Sequence, residues 1–125
     1  MPTTVKQMLD AANAAVPRIG AAEAKRLHEE GRAVFIDLRE PPEVAASGKV
    51  PGALEIPRGL LEFRADPNNP DRNPIFQRPV VVIYCASGGR AALAGKTLQE
   101  LGYTDVRNLG GFKDWTEAGG AVEKA

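Results

Sequence analysis

The sequence predicts an α/β domain in which helices cover both faces of a central parallel sheet. Apolar segments with strand character alternate with segments of helical periodicity, and parallel neighbouring strands need crossover connections of this kind. The segment 80–84 is an uninterrupted run of β-branched and aromatic residues, which is typical of a strand buried on both faces. A length of 125 residues with a hydrophobic fraction of 43% suffices for one core. We therefore expect a single domain around one central strand.

Periodicity and end signals place each element along the chain. Apolar residues at helical spacing before Pro17 predict an N-terminal helix, and Gly31 can adopt the left-handed conformation that ends a second one. Helices are predicted over 3–16, 21–30, 90–101 and a short segment after 111 through 115, and strands over 33–38, 53–56, 80–84 and 106–109. The segment 66–79 contains four prolines and is expected to be a surface loop.

Charge and cysteine usage narrow the function classes. Sixteen basic and sixteen acidic residues are interspersed, so no positive field favours nucleic acid or a membrane surface as a partner. The longest apolar run, 80–86, is far shorter than the roughly 20 residues of a membrane-spanning helix. The first twenty residues contain no apolar segment of the signal-peptide type, and one unpaired cysteine suits a reducing compartment. The expected location is the cytoplasm.

The only cysteine occupies the position where a thiol would be reactive. Cys85 follows the central strand, and Ala86, Ser87, Gly88 and Gly89 lead to Arg90 at the start of a helix. Ligands of open α/β sheets bind at the carboxyl ends of strands, where backbone N–H groups and the helix N-terminus favour an anion. A buried, inert cysteine is the alternative, because free cysteines are often buried. The pattern favours a nucleophilic thiolate.

Other cysteine chemistries fit the sequence less well. Cysteine phosphatases use a loop with five residues between Cys and Arg, whereas four separate Cys85 from Arg90. The only histidine, His28, lies beside Glu29 and Glu30 and is expected to be a solvated helix residue rather than a base for the thiol. No second cysteine completes a redox pair, and no His/Cys cluster has metal-ligand spacing, so no cofactor or metal is expected.

Four motifs in order resemble those of the single-domain rhodaneses, members of the rhodanese-like sulfurtransferase family. They lie within residues 19–118. The motifs are the loop of residues 85–90, Asp37-Leu38-Arg39-Glu40 after the first strand, Val50-Pro51-Gly52-Ala53 before the next, and Gly110-Gly111 followed by Trp115. The resemblance implies a rhodanese-like domain over 19–120, preceded by an N-terminal amphipathic helix (1–18) and followed by a C-terminal tail (121–125).

The family resemblance also implies a reaction and roles for individual residues. A sulfane sulfur would pass from a small anionic donor such as thiosulfate to Cys85 as a persulfide, and then to cyanide, a thiol or a protein thiol. The amides of Ala86, Ser87, Gly88, Gly89 and Arg90 would hold the sulfur, and Arg58 at the pocket rim would attract the donor. Asp37 and Arg39 would support the loop by hydrogen bonds, and Trp115 is expected in the core.

Two positions depart from the family pattern, and two alternative functions remain. Lys49 stands where the family often has a histidine, and Ser87 stands where thiosulfate-preferring members often have a basic residue. The donor could therefore be a polysulfide, a small persulfide or a protein persulfide. A non-catalytic sulfur-relay or protein-binding module is the first alternative, and a phosphatase or arsenate reductase on the same scaffold is the second.

Overall fold

A computed structural model describes residues 2–125 and contains a parallel sheet of four strands in the order β2-β1-β3-β4. The strands are β1 (Ala33–Asp37), β2 (Leu54–Glu55), β3 (Val80–Cys85) and β4 (Val106–Gly111), and the α-helices are α1 (Val5–Ala15), α2 (Ala21–Glu30), α3 (Pro41–Ser47), α4 (Leu61–Ala65), α5 (Gly89–Glu100) and α6 (Phe112–Glu117). Within residues 2–125, no helix has the length and apolar character needed to span a membrane.

Helices cover both faces of this sheet, which confirms the predicted fold class. Alternate residues of β1 and β3 point to opposite faces. Ile36 and Ile83 belong to the core cluster on the side of α4 and α5, while Phe35 and Val82 belong to the cluster on the side of α2 and α6. Cys85 lies in the first cluster, at the end of β3 and four residues before α5 begins.

The predicted central strand is confirmed. β3 pairs in parallel with β1 on one side, where Val82 is opposite Phe35, and with β4 on the other. All six residues of β3 are buried, as the unbroken β-branched pattern requires. The position matters for function because a residue at the carboxyl end of β3 is flanked by the ends of β1 and β4.

The sequence pattern missed α3 and α4, for a shared physical reason. Both are short and bury few side chains: Val44 in α3, and Leu61 and Ala65 in α4. Each helix therefore contains too few apolar repeats for its helical periodicity to be recognised in the sequence. The expected surface loop 66–79 also contains a 3-10 turn, Pro74–Gln77, that buries Phe76 against the core.

The two terminal segments are attached to the domain. The apolar face of α1 is covered only at its C-terminal end, since Ala12 and Val16 are buried while Val5 is 66% exposed. At the other terminus, Glu123 pairs with Lys49 through two backbone hydrogen bonds of 2.8 Å. The boundaries predicted for these segments stay predictions.

Candidate active site

Cys85 ends β3 and lies at the floor of a loop that opens to solvent. Cys85 is 1% exposed to solvent. The next two residues of the loop, Ala86 and Ser87, are exposed. The sulfur is thus shielded by the protein on the sheet side, while the loop above it is accessible.

The loop supplies a backbone donor to the sulfur. The Gly88 N–H donates to Cys85 Sγ over 3.0 Å, and Gly88 adopts a φ of 106°, which favours glycine. The Gly88 carbonyl accepts from the Ala92 N–H at 2.9 Å and from Asn108 Nδ2 at 3.4 Å. α5 begins at Gly89, so its positive N-terminal end lies beside the same loop. This arrangement favours an anionic sulfur.

Glycines at the end of β4 allow this close approach to the loop. A Cβ placed on Gly111 would lie 2.5 Å from the Ala86 carbonyl oxygen, a distance that real side chains do not tolerate. The Gly110 N–H donates to Asn108 Oδ1 at 2.7 Å, and the buried Asn108 side chain thereby ties β4 to the loop. The Gly110-Gly111 motif therefore has a steric basis at the site.

Arg90 is held by a carboxylate from another element. Its Nη1 and Nη2 donate to Glu43 Oε1 and Oε2 at 2.7 and 3.0 Å, in a bidentate pair. These hydrogen bonds, with one from the Glu40 backbone, lower the pKa of Glu43 to about 2. The same pairing, with a smaller contribution from the neighbouring Cys85, raises the pKa of Arg90. Arg90 thus lies beside the sulfur, and Glu43 offsets much of its positive charge.

Asp37 and Arg39 form a buried pair at the end of β1. Arg39 Nε and Nη2 donate to the Asp37 carboxylate at 3.0 and 2.8 Å, and Nη1 and Nη2 also donate to Ser47 Oγ and the Gly48 carbonyl, both at 2.7 Å. Burial alone would lower the pKa of Arg39, but the hydrogen bonds and the charge of Asp37, with smaller contributions from Tyr84 and Glu43, together outweigh burial and raise the pKa. These bonds hold the end of α3, and the support of the Cys85 loop stays a prediction.

Arg58 is placed beside α5. Its Nη1 pairs with Glu62 Oε1 at 2.9 Å, and its Nη2 donates to Thr97 Oγ1 at 3.2 Å. Two of its nitrogens are therefore engaged on α4 and α5. Its predicted role at the pocket rim stays a prediction.

His28 and Trp115 lie on the opposite side of the sheet from the sulfur. The expectation of a solvated His28 is wrong: its ring is partly buried, packs edge-on against Phe35 and Trp115, and contacts the Pro51 carbonyl at 2.7 Å. Trp115 is 2% exposed, which confirms its expected place in the core. Cys85 belongs to the other core cluster, so His28 is not positioned to activate it.

Sequence reasoning missed two side chains that shape the site. Glu43 follows two prolines on a short helix, and nothing in its local pattern indicates a partner 47 residues away. Asn108 was detectable in principle, because a polar residue within an apolar strand is normally buried only when it is hydrogen-bonded.

Comparisons with known proteins agree with this geometry. A family model described as a rhodanese-like domain matches residues 20–118. The chain is 36% identical to a sulfurtransferase from Allochromatium vinosum, over 77% of this chain and 83% of that protein. It is 33% identical to the human thiosulfate:glutathione sulfurtransferase, over 83% of this chain and 96% of the relative.

A solved structure from Rhodopseudomonas palustris is also similar over nearly the whole chain. It is 44% identical, covers 98% of this chain and 99% of its own, and superposes with a TM-score of 0.86. That protein is described as one of unknown function and as a possible tyrosine phosphatase. The similarity extends to α1, which lies outside the family match.

Proposed function

Because the chain belongs to the rhodanese-like domain family, we propose that it transfers a sulfane sulfur from an anionic donor to a thiophilic acceptor through a persulfide on Cys85. Its relatives include proteins named as sulfurtransferases, at 36% and 33% identity.

The observation that carries the proposal is the hydrogen bond from the Gly88 N–H to Cys85 Sγ at 3.0 Å. A fixed backbone dipole needs no reorganisation when charge develops on the sulfur. The N-terminal end of α5 acts in the same direction. Both favour the thiolate before the reaction and the persulfide anion after it.

In the first step, the Cys85 thiolate attacks the outer sulfur of the donor. With thiosulfate, an Sγ–S bond forms with the electron pair of the thiolate, and the S–S bond of thiosulfate breaks. Its electron pair leaves with sulfite, while the negative charge of the outer sulfur stays on the persulfide. The step needs no proton transfer, which suits a site where His28 lies on the other side of the sheet.

In the second step, the acceptor takes the outer sulfur. Cyanide or a thiolate forms a bond to that sulfur, the Sγ–S bond breaks, and its electron pair returns to Cys85 as the thiolate. The products are thiocyanate or a new persulfide. Ala86 and Ser87 are exposed, so an acceptor can approach the loop from solvent.

The name of the human relative supports thiosulfate as donor and glutathione as acceptor. Ser87 in the loop supports a less charged donor, because the family resemblance places a basic residue there in thiosulfate-preferring members. Thiosulfate and a glutathione persulfide are therefore the two donors to compare. A single free thiol also supports a reducing compartment such as the cytoplasm.

Phosphatase activity is the second candidate, favoured by the description of the Rhodopseudomonas structure. Two features of the loop oppose it. Four residues separate Cys85 from Arg90, and the Arg90 guanidinium already donates to Glu43 from both terminal nitrogens, which leaves it fewer donors for phosphate oxygens. We expect no hydrolysis of an aryl phosphate.

The deciding experiment is intact-mass spectrometry after mixing the protein with thiosulfate or glutathione persulfide. The expected result is a gain of one sulfur atom that cyanide removes as thiocyanate, and that Cys85→Ser abolishes while remaining folded. A wild type that gains no sulfur from either donor contradicts the proposal. Sulfur loading without multiple turnover would instead support the sulfur-relay alternative.

A further inference from the structure

Arg18 is fixed beside β4 by backbone hydrogen bonds. The Asn108 N–H donates to the Pro17 carbonyl at 2.9 Å, and the Ile19 N–H donates to the Asn108 carbonyl at 3.1 Å. Arg18 and Asn108 thus form a parallel bridge at the outer edge of the sheet. Because Asn108 is two residues before Gly110, this bridge brings the Arg18 backbone close to the end of β4 that meets the Cys85 loop.

The Arg18 guanidinium packs on the two glycines where that loop and β4 meet. A Cβ placed on Gly88 would lie 3.4 Å from Arg18 Nη1, and one placed on Gly110 would collide with Arg18 Nη2 and lie 3.0 Å from Cζ. The Gly88 N–H is the donor to Cys85 Sγ. With backbone bonds of about 1.5 Å, the cation lies within roughly 10 Å of the sulfur.

This cation has no carboxylate partner. Among residues 2–125 no acidic group lies within ion-pair distance of Arg18, whose side chain is exposed. Asp114 is the acidic residue nearest the same glycines, and its Oδ2 accepts from the Gly111 N–H at 3.3 Å. Asp114 Oδ2 also lies 3.4 Å from the position of a Cβ on Gly110, so its charge partly offsets that of Arg18, while the guanidinium keeps its five donors available.

The other two arginines assigned to the site differ in this respect. Arg90 is bound by Glu43 through both terminal nitrogens, and Arg58 is bound by Glu62 and Thr97. Glu43 and Glu62 offset much of the charge of these two arginines, although Arg90 directly adjoins Cys85. A charge at roughly 10 Å lies about one Debye length away at 0.1 M ionic strength, so its field at the sulfur is strongest at low salt. In the described part of the chain, Arg18 is thus the one of these three arginines whose exposed guanidinium makes no side-chain hydrogen bond.

We propose that Arg18 is the residue that recruits the anionic end of the donor to Cys85, the role that the family resemblance assigned to Arg58. The sulfonate of thiosulfate or a carboxylate of a peptide persulfide is the chemical class it selects. This inference rests on the proposed function for the identity of the donor. Its physical content, a positive potential at the sulfur that comes from Arg18, can be measured without any sulfur transfer.

Paired alkylating probes measure that potential. Iodoacetate is an anion and iodoacetamide is a neutral analogue, so the ratio of their alkylation rates at Cys85 reports the local field. Arg18→Gln should lower this ratio about threefold at low salt, and about 0.5 M salt should remove most of the difference. The rate with iodoacetamide should stay within about twofold, because the variant leaves the Gly88 hydrogen bond intact.

Three further variants make the test specific. Arg18→Lys keeps the charge and should retain most of the ratio. Arg64→Gln removes an exposed arginine on α4 and should leave the ratio unchanged. Arg58→Gln tests the competing assignment. In steady state, Arg18→Gln should raise KM for thiosulfate about threefold with little change in kcat.

Each outcome decides the question. An unchanged ratio in Arg18→Gln, an equal loss with both probes, or a larger loss in Arg58→Gln overturns the inference. If no donor loads sulfur on the wild type and the ratio still depends on Arg18, the proposed function has failed while the anion-recruiting role stands. If sulfur loading succeeds and the ratio ignores Arg18, only the inference has failed.

Discussion

The two turns at the carboxyl ends of β1 and β3 lie side by side and are built in opposite ways. They are joined directly, since the Leu38 N–H donates to the Tyr84 carbonyl at 3.0 Å. In the first turn Asp37 is 0% and Arg39 is 5% exposed, and every guanidinium nitrogen of Arg39 has an oxygen partner. In the second turn the charged groups adjoin solvent, and the sulfur accepts from a backbone amide.

The charged groups of the first turn hold the backbone in place, whereas those of the second turn lie where they can act on a substrate. A buried ion pair with all of its hydrogen bonds made leaves nothing for a substrate, but it fixes the backbone around it. A thiolate held by a backbone dipole keeps lone pairs free for a new bond. The sequence motifs of the two turns look equally functional, and only their hydrogen-bond partners distinguish the buried ion pair of the first turn from the second turn, for which we propose the chemistry.

The largest effect should come from breaking the buried ion pair in the turn after β1. Asp37→Asn leaves the Arg39 charge buried without a counter-ion, so the free energy of unfolding should fall by about 3 kcal/mol. Persulfide formation per folded molecule should stay within severalfold of wild type. Urea denaturation gives the first quantity, and intact mass of the folded fraction gives the second.

A matched pair on the surface provides the control. Glu62→Gln breaks the Arg58–Glu62 bridge, whose carboxylate side chain is 47% exposed, and should cost within about 0.5 kcal/mol. Equal losses in the two variants would mean that burial does not distinguish the Asp37–Arg39 pair. A complete loss of sulfur loading in folded Asp37→Asn would place Asp37 in the chemistry.

Sequence reasoning predicted most of the sheet and placed the Cys85 loop correctly at the carboxyl end of the central strand. β3 was predictable because its residues are apolar throughout, and the loop was predictable because a cysteine, two glycines and an arginine follow such a strand. Both depend on local pattern. The short α3 and α4 were not predictable, since a helix that buries one or two side chains leaves too little periodicity.

The charge partners at the site depend instead on distant contacts. Glu43 meets Arg90 across 47 positions, and Arg18 reaches Gly88 from the segment between α1 and α2. No spacing rule encodes such contacts, because they arise from how the crossover connections pack on the sheet. For the same reason, the sequence could not distinguish an arginine held in an ion pair from one without such a pair.

The second prediction concerns the turn after β3, which follows Cys85. Gly88→Ala places a Cβ 3.4 Å from Gly110 Cα at a φ of 106°, so the strained backbone should move the N–H away from Cys85 Sγ. Unfolding free energy should fall by about 1–2 kcal/mol. Persulfide formation should slow by about tenfold to a hundredfold, measured by quenched intact mass.

Gly102→Ala is its control. Gly102 has a similar φ of 102° in the turn after α5, and a Cβ there meets nothing within 4 Å. Its stability loss should resemble that of Gly88→Ala, while its rate of sulfur loading should equal that of wild type. Equal rates in both variants would show that the Gly88 amide does not assist the sulfur.

The smallest effect on stability should come from replacing Glu43, the group that links α3 to the turn after β3. Its folded-state pKa of about 2 lies below the ordinary 4.5, so the ionised carboxylate stabilises the folded protein above pH 4.5, and this contribution is lost as pH falls towards 2.

Because the Glu43 side chain is 37% exposed, solvent limits the loss of unfolding free energy in Glu43→Gln to about 1 kcal/mol at neutral pH. The difference between wild type and Glu43→Gln should be constant from pH 6 to 8 and should shrink between about pH 4.5 and 2, followed by urea denaturation across that range. Glu29→Gln, at an exposed position of α2, is the control and should change the free energy of unfolding at neutral pH by within about 0.5 kcal/mol. A difference between wild type and Glu43→Gln that persists at about pH 2, or one that changes between pH 5 and 7, would mean that the bond to Arg90 does not hold Glu43 ionised.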